Sequence, residues 1–165
     1  MRWTRNLLLV GSMLLPCGPL LDAAEPETSS SAEPNLSPDV RELLRSEMRE
    51  VAAGVQTIAA ALPIGGWESV HDTARRIHDS YIMNRALTDA QARELEQALP
   101  AQFVALDQAL HARALKLAEA AHQHDAEQAA FHFSRMLETC VACHAQFAHG
   151  RFPGLEAVEA VEHRH

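Results

Sequence analysis

Apolar residues recur at steps of three and four from Val40 onward, through Leu43, Leu44, Met48, Val51, Val55, Ile58 and Leu62. That is the period of one buried face of an α-helix. Ser37 and Pro38 precede the run, a hydroxyl cap followed by proline at the first helical position, and Pro63-Ile64-Gly65-Gly66 closes it. A second period starts at Trp67 and continues through Val70, Ala74, Ile77 and Tyr81, with His71 and His78 on its flank, and fades after Arg85. Thr88 with Gln91 has the form of a capping box and predicts a short connecting helix to about Leu99. After Pro100 a third long run carries Phe103, Leu106, Leu110 and Leu117 inward and reaches the polar turn His122-Gln123-His124. Asp125 with Gln128 then caps a fourth, whose stripe is Ala129, Phe133, Met136, Leu137, Cys140, Val141, His144 and Phe147, and Gly150 and Pro153 stop it. Long amphipathic segments joined by short connections predict an all-α fold, an antiparallel up-down-up-down four-helix bundle over residues 37–152.

The two ends of the chain fall outside this pattern. Arg2 and Arg5 precede the apolar run from Leu7 to Leu15, and the small pair Ala23-Ala24 follows, so residues 1–24 read as a signal peptide. The run is too short to span a bilayer comfortably, and no membrane insertion of the mature chain is expected. Leu14-Leu15-Pro16-Cys17 offers a rival lipoprotein-type cleavage box, although proline before the cysteine is a poor fit. Residues 25–36, rich in Pro, Ser, Glu and Ala, read as a flexible leader, and 153–165 as a flexible tail.

Composition narrows the function classes. Aromatic residues are only 5% of the chain, which suits close-packed helices better than strands. A formal charge of −8 makes nucleic acid or an acidic membrane surface an unnatural partner. A neutral or basic redox protein fits better.

The chemistry concentrates in Cys140-Val141-Ala142-Cys143-His144, whose spacing reads as covalent attachment of a c-type haem. Two thiols can add to the two vinyl groups of one porphyrin, and the adjacent imidazole reaches one face of the iron. Zinc would need four ligands, and no second paired motif lies elsewhere in the chain. A thioredoxin-type dithiol normally opens a helix, where backbone amides lower the thiol pKa, whereas this pair closes one. In an antiparallel bundle Met48, about ten residues into the first helix, stands at the level of Cys140 to His144 within a turn of about 5.4 Å. Its thioether could reach the iron face opposite His144, or it could simply fill core. His78 is a rival ligand, and Met83 and Met136 are poorly placed. His111, His122, His124 and His132 map to the middle or far end and read as solvated surface.

A haem motif near the end of the last helix of an exported four-helix chain resembles the class II c-type cytochromes, the cytochrome c′ family and its low-spin relatives. The resemblance covers about residues 37–152. It implies that Cys140 and Cys143 form the thioethers of one haem c, that His144 is the proximal ligand, and that Met48 takes the distal position. Phe147 matches the family's usual aromatic three residues after the histidine. Leu44 stands where the family often has Arg, with Arg45 next to it, and Ala148 stands where it often has a basic residue. The resemblance also implies a homodimer built on faces of the first two helices.

Three functions follow from different classes. With His144 and Met48 both bound, the iron has no open position, and the chain is a periplasmic mono-haem electron carrier with a redox partner protein. With Met48 as filler, Leu44, Met48 and Val51 wall an apolar pocket, and the chain binds nitric oxide or carbon monoxide. A haem-free dithiol or metal-binding bundle is the third. An enzyme is not expected, since no acid or base is evident beside the proposed pocket. Export is expected to leave an unlipidated amino terminus near residues 24–26, which the intact mass of the exported protein checks. A mass that includes diacylglycerol on Cys17 would instead put the chain on a membrane surface.

Overall fold

The apolar periods become five α-helices and a 3-10 turn in the computed structural model, which describes residues 33–79 and 87–155, all within the unit Ser31–His165. No strand occurs among the described residues, so the fold is all-α. The expected signal peptide with Cys17, most of the leader, and the tail from residue 156 lie outside them.

Helix α1 (Pro38–Ala61) starts where Ser37 Oγ accepts the Val40 amide at 3.4 Å, a cap of the kind that contributes about 1 kcal/mol. The leader does not stay loose up to this point. Leu36 is buried, its carbonyl accepts from Arg41 Nη2 at 2.8 Å, and the Ser37 amide donates to the Glu94 carboxylate. After the 3-10 turn Leu62–Ile64, Gly65 takes φ 70° and turns the chain into α2 (Trp67–His78). Residues with a Cβ rarely adopt that backbone. Asp79 closes α2; the expected continuation to Arg85, with Tyr81 and Met83, lies outside the described residues. Helix α3 (Asp89–Ala98) opens on the full capping box between Thr88 and Gln91. Helix α4 (Ala101–His122) follows Pro100, and the turn at Gln123-His124 leads into α5 (Ala126–Phe147), where Asp125 Oδ1 accepts the Gln128 amide at 3.0 Å.

Helix α4 packs against both α2 and α5, α1 packs chiefly on α2, and α3 touches α1. The partners run antiparallel. His78 and His111 meet at one end of the α2–α4 seam, and Trp67 stacks on His124 at the other. Phe103 near the start of α4 meets Phe147 at the end of α5.

The core is asymmetric along this axis. Its contiguous part comprises Val51 and Ile58 of α1, Val70, Ala74 and Ile77 of α2, Leu110 to Ala121 of α4, and Ala129 and Met136 of α5. Toward the other end Leu43, Leu44, Met48, Phe103 and Leu106 are only half-buried. The inward lines of two helices are rotated from the expected stripes. In α1 the buried line is Val40, Glu47, Val51, Gly54 and Ile58, so Glu47, 4% exposed, takes the turn expected of Met48. In α5 it is Ala129, Met136, Thr139, Ala145 and Phe147, and Leu137 and Val141 remain 37% and 47% exposed. In α1 a small residue accounts for the rotation: Gly54 lets the helix come close to Ile77 and Thr73 of α2.

At Gly54 a Cβ would come within 3.1 Å of Ile77 Cδ1 and 3.2 Å of Thr73 Cγ2. Gly54→Val therefore overpacks the α1–α2 seam and should destabilise the protein by about 1–3 kcal/mol in denaturant unfolding followed by circular dichroism. Unchanged stability would mean that α1 is free to move away from α2 at this point.

Candidate functional site

Helical phase gathers the motif on one side of α5. At about 100° per residue, Cys140, Cys143 and His144 fall within roughly a third of the circumference. The helix runs unbroken through them to Phe147, and the Ala148 amide donates to the His144 carbonyl at 3.0 Å. Both thiols are free and half-buried, and Cys140 packs against the hydrophobic core.

Burial pushes both thiols up, Cys143 to about 11, and the Asp107 carboxylate and Cys140 add to the shift at Cys143. Thiols in this state are poor nucleophiles, the opposite of the low-pKa cysteine of a redox dithiol. The zinc alternative also fares badly. Among the described residues no three His, Cys, Asp or Glu side chains gather as a metal cluster, whereas a structural zinc site takes four donors. A porphyrin brings four nitrogen donors of its own and asks the chain only for axial ligands.

His144 is half-buried, and its ring stacks on Phe152 with centroids 4.6 Å apart and planes 22° apart. Burial first, and then the Arg151 charge, hold its pKa below the ordinary histidine value. The neutral imidazole so favoured is the form that can give a lone pair to a metal. Arg151 lies 6.0 Å above the Phe152 ring and also bears on Glu42 of α1, so the segment after α5 reaches the start of the first helix.

Two side-chain contacts fix the height of Met48. Gly54 stands opposite Ile77 and Thr73, and Met48 lies six residues, about 9 Å, nearer the start of α1. Ile77 and His78 are bonded to His111, and Asp107, which faces Cys143, lies about 6 Å farther along α4. Met48 and the motif therefore lie toward the same end of the fold, with α1 packed chiefly on α2 and not on α5. Met48 is half-buried beside the inward line of α1 and not on it.

Polar groups that the apolar periodicity passes over sit beside these residues. His111 was expected to be solvated, yet it is wedged between α2 and α4. Its Nδ1–H donates to the Ile77 carbonyl at 2.7 Å, while His78 Nδ1–H donates to the His111 carbonyl at 3.1 Å. With Nδ1 committed to donation, the second nitrogen of a neutral ring would turn a lone pair toward Asp107, 3.5 Å from Nε2. Protonation removes that conflict. The Asp107 interaction outweighs burial and raises the His111 pKa, with Ile77 and Glu47 adding smaller contributions. His111 and His78 thus join α2 to α4, and Asp107 pairs with His111 along α4. The signal for them is positional: Asp107 and His111 are one turn apart on the side of α4 that meets the motif.

The residues fit a covalently held haem in the common face of the two thiols and the imidazole, the neutral state favoured for His144, and the apolar surface nearby. Val104, Leu137 and Val141 are 36%, 37% and 47% exposed on α4 and α5 around the motif. Two grooves among the described residues, of about 440 and 200 Å³, border other parts of the fold. Comparison of the chain with protein-family models, curated proteins and solved structures gives no match.

The His111–Asp107 pair makes stability depend on pH. A histidine whose folded pKa is raised stabilises the fold fully below its ordinary value of about 6.5, and that contribution fades as pH rises through the folded value. The melting temperature of the wild type should exceed that of Asp107→Asn by more at pH 5.5 than at pH 9. Equal differences at both values would mean that the pair carries no charge-dependent stability.

Proposed function

We propose that this chain is a periplasmic mono-haem c-type cytochrome of the class II kind, an antiparallel four-helix bundle that carries electrons to or from a redox partner protein. One observation carries the reading. Cys140, Cys143 and His144 share one side of the last helix, at the end of the fold where Leu44 and Met48 of α1 and Phe103 and Leu106 of α4 are only half-buried. Cys140 and Cys143 would hold the porphyrin through thioethers, with His144 as proximal ligand and Met48 as distal ligand. Haem iron supplies one-electron redox chemistry when bound.

The chain's own residues supply the rest. Phe152, stacked on His144, orients the imidazole, and Arg151 disfavours its protonation. Histidine and methionine together make a strong-field pair that raises the potential and leaves no position open for substrate. Asp107 and His111 are paired with each other along α4, Nε2 to Oδ1 3.5 Å, and Glu47 is buried on α1, so each adds charge at the same end of the fold. No helix among the described residues is long and apolar enough to cross a membrane.

A second reading draws on the placement of Met48 beside the inward line of α1. If its sulfur does not reach the iron, the half-buried Leu44 and Met48 instead wall a pocket for nitric oxide or carbon monoxide.

The Cys140→Ala/Cys143→Ala variant, produced with the natural export signal, should lack acid-resistant haem; normal haem retention would overturn the proposal. Met48→Leu approximately conserves volume and should cost less than about 1.5 kcal/mol of stability. Its optical spectrum should change from low-spin to high-spin, and it should acquire carbon monoxide binding. A wild type that is already high-spin and takes up carbon monoxide would establish the gas-binding reading.

A further inference from the structure

A second group of histidines lies at the far end of the α2–α4 seam from His78 and His111. His71 of α2 and His122 of α4 face each other with ring centroids 5.8 Å apart and planes inclined at 47°. They border a groove of about 200 Å³ with Arg75, Leu115, Ala118, Glu119 and Gln123. Two imidazoles on one metal ion, each with a metal–nitrogen distance of about 2.0–2.1 Å, place their ring centres at a similar separation.

His71 carries an independent mark of a ligand. Its Nδ1 is 2.9 Å from Asp72 Oδ1, and since the carboxylate can only accept, Nδ1 holds the proton and Nε2 keeps the lone pair. A carboxylate behind a histidine is the arrangement that fixes the tautomer and raises the basicity of metal-binding imidazoles. Glu119, one turn before His122 on the same groove, supplies negative charge toward a cation. Arg75 is the opposing charge, and its guanidinium lies toward Asp79, Nη2 to Oδ1 3.8 Å.

We propose that His71 and His122 form a two-histidine site for a borderline divalent cation of the zinc or copper(II) type, separate from the motif in α5. Imidazole ligands select this class over magnesium or calcium, which prefer oxygen. Among the described residues three donors are not already gathered here, so water completes the coordination and the ion exchanges readily. Bound between α2 and α4, it ties the two helices together where His122 ends α4.

The test uses the full exported chain and zinc chloride, which has no redox chemistry of its own. His163 and His165 are replaced by Gln throughout, so that the tail cannot compete. Calorimetric titration of this parent should give one zinc per chain and a rise in melting temperature with zinc, since a ligand that binds only the folded state stabilises it. His71→Gln and His122→Gln should each abolish both effects while leaving the circular dichroism spectrum unchanged. Asp72→Asn should weaken binding by roughly tenfold, and His132→Gln on α5 should leave it intact. A parent that binds no zinc, or a His71→Gln variant that binds it as tightly as the parent, would overturn the site.

Discussion

Helix α4 can be packed on two sides because one of its lines is made of alanine. Ala114, Ala118 and Ala121, at steps of four and three, are buried almost completely, and Val70, Ala74 and Ile77 of α2 and Ala129 and Met136 of α5 complete the same core. Small side chains let helix axes come close, and the separation widens as the side chains at the contact grow. Toward its start α4 exchanges alanine for Leu110, Leu106 and Phe103. At that end α1 contributes half-buried Leu44 and Met48 and α5 contributes the Cys140 to His144 motif. A tight end and a loose end thus follow from the order of residue sizes along one helix.

The loose end is held in register by polar contacts. The His78 ring bonds the His111 carbonyl while the His111 ring bonds the Ile77 carbonyl. A shift of α2 against α4 by one residue, about 1.5 Å, would strain both bonds and a shift of a turn would break them, whereas apolar contacts tolerate sliding. Burying Glu47 and part of His111 carries a desolvation cost that hydrophobic side chains would avoid. The return is positional: Asp107, one turn from His111 and paired with it, is kept where its charge acts on Cys143.

Element positions were legible in the sequence because they depend on local signals. The Ser37, Thr88 and Asp125 caps all form, and the breaks at Pro63 and Pro100 fall where proline removes a donor. The buried side of each helix was less legible. Apolar periodicity chose Met48 and Leu44 over Glu47, and Leu137 and Val141 over Thr139 and Ala145, because it counts hydrophobicity and is blind to how close a neighbour comes. His111 was misjudged for a related reason. Its placement depends on the Ile77 carbonyl that its ring bonds and on the His78 ring that bonds its own carbonyl, both brought by α2, and nothing within a few residues of it announces them. The gathering of Cys140, Cys143 and His144 on one side of α5 was legible because it lies in the spacing of neighbouring residues.

That spacing also sets an order of events on the proposed reading. In the folded chain Cys143 has a pKa of about 11, so only about one molecule in ten thousand would present a thiolate at neutral pH. In the unfolded chain the same thiol has an ordinary value near 8.5, and a few per cent is ionised. The protection comes from α5 packing on α4, the contact that carries Asp107 to Cys143 and Phe103 to Phe147. On the proposed reading, attachment through Cys140 and Cys143 is easier before this end of the fold closes over the thiols. The half-buried Leu44 and Met48 of α1 and Phe103 and Leu106 of α4 would then have a porphyrin to close upon.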